Sequence, residues 1–269
     1  MLVQRFHDLG VRMISTRTVG YDHIDLDKAR ELGMQVGNAT YSPNCVADYT
    51  LMLMLMSLRK MKRIMQRAEL NDFSLQGIQG RELPNLTVGV VGTGRIGRSV
   101  IRNLTGFGCR ILAYDLYENE EAKACATYVN LDTLYAQSDL ITLHMPLTND
   151  NFHMINESSI SQMKDQVVLI NTARGGLIDT KALIENIESG KIGAAGLDVI
   201  ENEFGMYYFD RKSDILDKRD LYILRGFPNV IVTPHMAFYT DQAISDMVKH
   251  SLESCLLVDQ GKPNPWNVL

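Results

Sequence analysis

The sequence predicts an α/β fold built around a doubly wound parallel sheet. From Thr87 onward, short apolar runs alternate with amphipathic stretches of helical period, such as Ile96–Phe107 and Thr180–Ser189. The apolar runs are continuous and do not alternate with polar residues, which is typical of parallel strands covered by helices on both faces. The predicted strands are Thr87–Val91, Arg110–Tyr114, Leu140–Leu143, Val167–Ile170, Ala194–Val199 and Val230–Val232, with a weaker candidate near Tyr128.

The residues before this sheet predict a second set of elements. In order, these are the strand Val11–Ser15, the helix Asp25–Leu32 and the strand Met34–Gly37. A long helix is expected next, with Ser42 as its N-cap, Pro43 at its first position and its end near Glu69. A helix this long and apolar either lies inside the core or also contacts a partner subunit.

The composition is that of a globular protein with a small negative charge. Of the 269 residues, 45% are hydrophobic, and the net charge is −5 without a basic block, which argues against nucleic acid as a partner. The four cysteines are scattered, so neither a zinc site nor a disulfide framework is predicted. No stretch has the apolar length of a membrane span, and the first residues lack a signal-peptide pattern. We therefore expect a cytoplasmic protein without a metal site.

A glycine-rich loop directly follows the first strand of the predicted sheet. Gly92 permits a tight turn, Gly94 lets a pyrophosphate approach the backbone, and Gly97 allows the next helix to pack closely on the strand. Asp115 ends the next strand, about 20 residues later, where a carboxylate accepts hydrogen bonds from the ribose 2′-hydroxyl. That carboxylate would repel a 2′-phosphate, and no arginine follows it immediately. The sequence therefore predicts NAD and disfavours NADP.

The strand Leu140–Leu143 ends in a short, rigid turn formed by His144, Met145 and Pro146. In doubly wound folds a dinucleotide lies at this edge of the sheet. His144 is either catalytic or, in the interpretation that we favour, a hydrogen-bonded loop histidine near the cofactor ribose.

Three further strand ends supply an arginine, a carboxylate and a histidine. Arg174 precedes a Gly-Gly pair, and its planar guanidinium matches a carboxylate in a bidentate manner. His235 follows the last predicted strand and is suited to proton transfer near neutral pH. Glu203 could orient the His235 ring and stabilise its charged form, with Glu201 as the competing candidate. With NADH as hydride donor, this set suits reduction of a 2-oxo acid: Arg174 binds the carboxylate and His235 protonates the developing alkoxide.

At these motifs the sequence resembles the NAD-dependent D-2-hydroxyacid dehydrogenases, and within that family the D-lactate dehydrogenases most of all. The resemblance runs from about Val11 to the C-terminus. The segments that carry it are Arg17–Asp22, Tyr41–Asn44, Gly92–Gly97, Asn171–Asp179, Gly196–Val199, Tyr207–Asp214 and Phe227–Thr240. It implies a Rossmann-type NAD-binding domain beside a flavodoxin-like substrate domain. It also implies reduction of pyruvate, or of a similar small 2-oxo acid, to the D-2-hydroxy acid.

The resemblance assigns roles to individual residues. The catalytic residues are Arg174, Glu203 and His235. The cofactor contacts are Gly92, Gly94, Arg95, Ile96, Gly97, Asp115, Met145, Pro146, Asn151, Thr172, Ala173, Arg174 and Asp198. The substrate contacts are Val19, Gly20, Tyr41, Arg174, His235 and Phe238. Val19 and Gly20 would offer backbone amides to the substrate carboxylate, and Tyr41 and Phe238 would wall the pocket. Asp198 would receive the nicotinamide carboxamide, unless it is simply a buried strand-end carboxylate.

The resemblance also sets the expected domain boundaries. Residues 1–40 would be part of the substrate domain, 41–236 the NAD-binding domain, and 237–269 a C-terminal helix that returns to the substrate domain. That last helix is expected at Asp241–Gln260, ended by Gly261 and Pro263. Compared with the family, the chain is expected to be truncated at its N-terminus, without the outer strands of the substrate domain. A homodimer is expected.

Three alternatives stay open at this point. The chain could be a dehydrogenase for a larger 2-oxo acid, of the 2-hydroxyisocaproate type. It could be an NAD-binding scaffold without enzymatic activity, similar to the C-terminal-binding co-repressors, although the intact arginine, glutamate and histidine argue against this. It could also be a degraded gene product without function.

Overall fold

The computed structural model describes residues 2–269, which form two compact units. The first unit consists of residues 2–45 together with Phe238–Leu269, and the second is Val46–Ala237. The boundaries predicted at residues 40 and 236 stay predictions about functional domains.

The first unit contains a short parallel strand pair. Its N-terminal elements are α1 (Leu2–Asp8), β1 (Met13–Ser15), α2 (Leu26–Glu31) and β2 (Gln35–Gly37). Met13 pairs with Gln35 in the parallel register. Asp25, which was predicted inside the helix, is instead its N-cap, because its side chain accepts a hydrogen bond from the Lys28 backbone N–H at 2.9 Å. A small core of Val3, Ala29, Met34 and Val36 holds these elements together.

The prediction of one long helix that ends near Glu69 is wrong. The structure has α3 (Asn44–Leu58) and α4 (Met61–Glu69), separated by Arg59 and Lys60, and Lys60 takes a left-handed conformation with φ 54°. Leu53 and Met54 of α3 are fully buried, whereas α4 has no fully buried residue. After this turn of the chain, Lys62 in α4 lies beside the segment 225–230. Its ammonium group donates to the backbone carbonyls of residues 225, 227 and 230 at 2.6–2.8 Å.

The described residues of the second unit form a seven-stranded parallel sheet, which confirms the predicted doubly wound fold. In chain order the strands are β3 (Thr87–Val91), β4 (Arg110–Tyr114), β5 (Thr127–Tyr128), β6 (Leu140–Leu143), β7 (Val167–Asn171), β8 (Ile192–Leu197) and β9 (Val230–Val232). Their order across the sheet is β5-β4-β3-β6-β7-β8-β9. The direction of winding reverses between β3 and β6, and in open α/β sheets ligands bind at the carboxyl ends of the strands beside such a point.

Helices connect the strands and cover both faces of the sheet. The remaining helices are α5 (Arg95–Thr105), α6 (Glu120–Lys123), α7 (Leu131–Gln137), α8 (Glu157–Gln162), α9 (Thr180–Glu188), α10 (Arg219–Gly226) and, in the first unit, α11 (Asp241–Asp259). Along β7, Leu169 belongs to the apolar cluster that includes residues of α8 and α9, whereas Val168 and Ile170 belong to the cluster that includes α3 and α5. This alternation explains why β7 is apolar at each position from Val167 to Ile170. Among residues 2–269, none of the helices has both the length and the apolar character needed to cross a bilayer.

Candidate active site

The glycine loop after β3 has the shape that a dinucleotide needs. Gly92 has φ 96°, and a Cβ atom there would lie 2.7 Å from the His144 carbonyl group. A Cβ on Gly97 would lie 1.9 Å from the Gly92 carbonyl oxygen, so α5 packs on the loop only because residue 97 is glycine. Gly94 faces open space and precedes the first turn of α5, where unpaired backbone N–H groups attract phosphate. The loop therefore fits the pyrophosphate of NAD.

Asp115 is held beside this loop by a small network. Its Oδ2 accepts hydrogen bonds from the Thr93 backbone N–H at 2.6 Å and from the Thr93 hydroxyl at 3.1 Å. Tyr128, at the end of β5, donates its hydroxyl to Thr93 at 2.7 Å. The carboxylate thus has a fixed position at the end of β4, as a ribose-binding group requires. The sequence assigned no role at this site to Thr93 or Tyr128, since Thr93 is a variable position of the glycine motif and Tyr128 lies in a weakly predicted strand.

The turn after β6 carries His144, Met145 and Pro146 next to the glycine loop. The His144 Nε2 lies 3.0 Å from the Thr142 hydroxyl, and burial lowers the pKa of the ring to about 3. His144 is therefore neutral near pH 7 and is unsuited to donate a proton there. Asn151 closes the turn, because its side-chain amide donates to the Pro146 carbonyl at 2.8 Å.

Arg174 emerges from a tightly fastened turn at the end of β7. The Asn171 side chain accepts from the Ala173 backbone N–H at 3.0 Å and donates to the Arg174 carbonyl at 2.8 Å. The Thr172 hydroxyl lies 2.9 Å from that of Thr50 in α3. A Cβ on Gly175 would lie 2.1 Å from the Ile200 carbonyl group, so this glycine is needed for the close approach of the segment after β8.

His235 and Glu203 form the predicted pair. The Nδ1 atom of His235 lies 2.6 Å from Glu203 Oε1, and both side chains are half-buried. Tyr208, which the sequence did not single out, donates its hydroxyl to the His235 carbonyl at 2.8 Å. The competing candidate Glu201 bonds elsewhere, to His153 Nε2 at 2.6 Å. Glu203 is therefore the partner of His235.

Asp198 shapes the turn that carries His235. It is fully buried just after β8, and its carboxylate accepts from the Thr233 hydroxyl at 2.6 Å and from the backbone N–H groups of Met236 and Ala237 at 2.9 and 2.8 Å. A carboxylate has about four acceptor positions, and these three bonds occupy most of them. Asp198 is thus a buried strand-end carboxylate with a structural task, and its contact with a nicotinamide carboxamide stays a prediction.

Backbone strain marks the same region. Asn202, Tyr208 and His235 all take left-handed conformations, with φ of 56°, 70° and 54°. Non-glycine residues rarely adopt this conformation, and such residues cluster at functional sites where the surrounding structure holds them in place.

The predicted substrate residues Val19, Gly20, Tyr41 and Phe238 lie in the first unit. The carbonyl of Val19 accepts from the Asn38 side chain at 2.9 Å, and that of Gly20 accepts from the Thr18 hydroxyl at 2.6 Å. The rings of Tyr41 and Phe238 have their centroids 6.5 Å apart, although 197 positions separate them in the chain. The unit therefore brings both predicted aromatic wall residues together. Across residues 2–269, we find no group of three or more histidine, cysteine or acidic side chains that could hold a metal ion.

Comparison with known proteins adds an independent observation. The family model described as D-isomer specific 2-hydroxyacid dehydrogenase, NAD binding domain, matches residues 51–237. An aromatic 2-oxoacid reductase from Clostridium sporogenes is 48% identical over 252 residues, which cover 93% of this chain and 76% of the relative. The crystal structure of a D-lactate dehydrogenase from Treponema pallidum superposes with a TM-score of 0.90 at 37% identity, covering 100% of this chain and 82% of that one.

A D-lactate dehydrogenase from Aquifex aeolicus, solved with NAD and lactic acid, has a TM-score of 0.87 at 40% identity. The match covers 93% of this chain and 77% of that one. These matches agree with the NAD-binding domain that the glycine loop predicts. The chain belongs to the D-isomer specific 2-hydroxyacid dehydrogenase family, and its cofactor is NAD.

Proposed function

We propose that this protein reduces pyruvate, or a similar small 2-oxo acid, to the D-2-hydroxy acid. The observation that carries the proposal is the 2.6 Å contact between His235 and Glu203, in the same compact unit as Arg174 and the NAD loop. NAD, when bound in its reduced form, supplies the hydride for C2 of the substrate.

Residues of the second unit bind the substrate and transfer the proton. Arg174 binds the substrate carboxylate with its planar guanidinium and polarises the neighbouring carbonyl group. Because Nδ1 of His235 is engaged by Glu203, Nε2 is the atom that gives a proton to the developing alkoxide. Glu203 keeps the ring oriented for this transfer. In the reverse direction the neutral His235 ring accepts the proton from a 2-hydroxy acid.

One observation favours a larger substrate as a second candidate. The Clostridium sporogenes relative, at 48% identity, is named an aromatic 2-oxoacid reductase. Tyr41 and Phe238 could restrict the pocket to pyruvate, or their rings could pack against an aromatic substrate, since tilted ring pairs attract one another.

A substrate panel tests the proposal. Oxidation of NADH is followed with pyruvate, 2-oxoisocaproate and phenylpyruvate, NADPH replaces NADH in a parallel series, and chiral chromatography identifies the product. We expect the highest kcat/KM with pyruvate and NADH, and D-lactate as the product. A preference for phenylpyruvate would establish the second candidate. L-lactate, or NADH binding without turnover of any 2-oxo acid, would refute the proposal, and the latter would support a scaffold. The matched control is His235→Gln, which should abolish turnover without preventing NADH binding.

We also propose that the protein is a cytoplasmic homodimer, as the family resemblance implies. Support for the dimer comes from apolar side chains that α4 and the following loop leave in solvent: Met65 is 54% exposed, Leu70 81% and Phe73 77%. Exposed large apolar side chains occur at interaction surfaces, so these three residues are candidates for the dimer contact. Light scattering after gel filtration should give twice the mass of the chain, and Phe73→Asp should shift it towards the monomer. A monomer at all concentrations would contradict this proposal.

A further inference from the structure

Glu201 is an acidic residue that the proposed chemistry leaves unused. Its Oε1 lies 2.6 Å from His153 Nε2, and its Oε2 accepts a hydrogen bond from the Thr180 backbone N–H at 2.9 Å. Thr180 is the first residue of α9, and His153 belongs to the segment before α8. The side chain of Glu201 is only 19% exposed. Both carboxylate oxygens of Glu201 are thus bonded to parts of the second unit other than His235 and Glu203.

Glu201 and Glu203 belong to one four-residue segment, Ile200–Glu203, which we call the acidic loop. At its start, the Ile200 backbone N–H donates to Glu203 Oε2 at 3.1 Å, and the Ile200 carbonyl group lies against Gly175, next to Arg174. Between the two glutamates, Asn202 has φ 56°, and its carbonyl accepts from the Lys218 ammonium group at 2.7 Å. The left-handed residue directs the two carboxylates to different histidines.

We propose that Glu201 is a positioning residue for proton transfer, which it serves by anchoring the acidic loop. Its two bonds hold the loop on α9 and on His153, and this anchor keeps Asn202 in its strained conformation. Glu203 Oε1 then stays at hydrogen-bond distance from His235 Nδ1. The inference rests on the proposed function, in which His235 moves the proton.

The surroundings of His153 agree with a fixed anchor. Its ring stacks on Phe152 with centroids 3.8 Å apart, and its Nδ1 lies 3.9 Å from Asp179 Oδ2. Asp179 also caps α9, since its side chain accepts from the backbone N–H groups of Lys181 and Ala182. The acidic loop is therefore bonded to the start of α9, which is itself capped by Asp179. If a Glu201 bond is lost, α9 is held too firmly to follow the loop and restore it.

The test compares Glu201→Ala with Glu201→Gln. The glutamine can still accept from Thr180 and can donate to His153, so it should rescue the anchor. Glu157→Gln is the matched control, because Glu157 bonds Asn186 of α9 at 2.6 Å but has no bond to the acidic loop. His153→Asn is a second variant for the case in which the alanine variant does not fold. It removes one of the two anchoring bonds, and asparagine tolerates the positive φ of residue 153.

The main readout is the proton NMR resonance of His235 Nδ1–H in the full chain without ligand, assigned by its loss in Glu203→Ala, which removes the acceptor. A short hydrogen bond to a carboxylate moves this resonance downfield. We expect Glu201→Ala to abolish or shift it, His153→Asn to shift it less, and Glu201→Gln and Glu157→Gln to leave it in place. In kinetics with the preferred 2-oxo acid, Glu201→Ala should lower kcat on the order of tenfold, because small misplacements of reacting groups are costly. Its KM for NADH should not change.

A residue that only supports the fold would lower the melting temperature without moving the His235 resonance. An unchanged resonance in folded Glu201→Ala, or in His153→Asn if the alanine variant does not fold, would overturn the inference. If the wild-type chain turned over no 2-oxo acid, the proposed function would fail, yet the NMR comparison would still decide whether Glu201 positions Glu203.

Discussion

At the scale of single residues, His235 is fixed at three points. Glu203 holds its ring, Tyr208 donates to its carbonyl, and its backbone N–H donates to the Asp198 carbonyl at 2.8 Å. General acid catalysis depends on such positioning, because the proton donor must lie within hydrogen-bond reach of the reacting oxygen. The position of the ring is therefore set by the fold before any substrate arrives.

Arg174→Lys is the residue-scale test of carboxylate binding. Lysine keeps the positive charge but loses the planar pair of N–H donors, so one charge-assisted hydrogen bond should be lost. We expect the KM for the 2-oxo acid to rise by about tenfold to a hundredfold, since such a bond contributes about 1.5–3 kcal/mol. Steady-state kinetics at saturating NADH measure this. An unchanged KM would show that Arg174 does not bind the substrate carboxylate.

The sequence predicted a contact between Glu203 and His235 because both follow parallel strands, whose carboxyl ends meet at one edge of a sheet, and the structure has this contact at 2.6 Å. It left Glu201 as a competing candidate for the partner of His235, since the two glutamates lie only two positions apart. The choice depends on the left-handed Asn202 and on His153, which is 48 positions away from Glu201. A contact of this range leaves no local pattern in a single sequence.

At the scale of elements, the break between α3 and α4 shows where local pattern fails. Apolar residues continue across it, so periodicity predicts one helix. The structure turns at Lys60 and brings Lys62 to three backbone carbonyls at and beyond the end of α10. The last carbonyls of a helix lack partners within it, and the carbonyl of residue 225, in the last turn of α10, is one of these. A tertiary hydrogen-bonding arrangement thus overrides the local preference to continue the helix.

Gly97→Ala tests the packing of α5 on the NAD loop. The new Cβ would lie 1.9 Å from the Gly92 carbonyl oxygen, so the helix must move away from β3. We expect a lower melting temperature together with an increase of at least tenfold in the Kd for NADH, measured by fluorescence titration, since the phosphate site is built from this contact.

Gly106→Ala, at the C-terminal end of the same helix, is the control. Its Cβ would lie 3.5 Å from the Asn103 carbonyl oxygen, an ordinary contact, in a helical conformation that alanine accepts. Melting temperature and Kd should therefore stay near the wild-type values. Equal losses in both variants would mean that α5 is sensitive to any added methyl group and that the close approach at Gly97 has no special weight.

At the scale of the whole molecule, Asp139 links parts of the second unit that lie far apart in the chain. Its carboxylate accepts from the Thr87 backbone N–H at 2.9 Å and contacts Lys164 and Arg81 at 3.2 and 3.1 Å. Burial raises the pKa of this carboxyl group, but the Thr87 hydrogen bond and the two cations outweigh burial, so the pKa lies below its ordinary value of 3.8.

This shift predicts how stability depends on pH. The folded state binds the Asp139 proton less readily than the unfolded chain, so the contribution is fully present above about pH 4 and is lost as pH falls through the folded pKa. Asp139→Asn should therefore lower the melting temperature at pH 7, and the difference from wild type should shrink towards pH 3. Calorimetry across this range measures it. A constant difference at all pH values would mean that the charge of Asp139 is not responsible.

The left-handed conformations of Asn202, Tyr208 and His235 also set a limit on engineering. Each such residue costs about 1–3 kcal/mol of folding free energy, which glycine would largely avoid. A selection for heat resistance should therefore favour Asn202→Gly and Tyr208→Gly. The same variants would loosen the acidic loop and remove the hydroxyl that holds the histidine carbonyl. In these variants the melting temperature would rise while kcat falls. The variant with the highest kcat would then not be the one with the highest melting temperature.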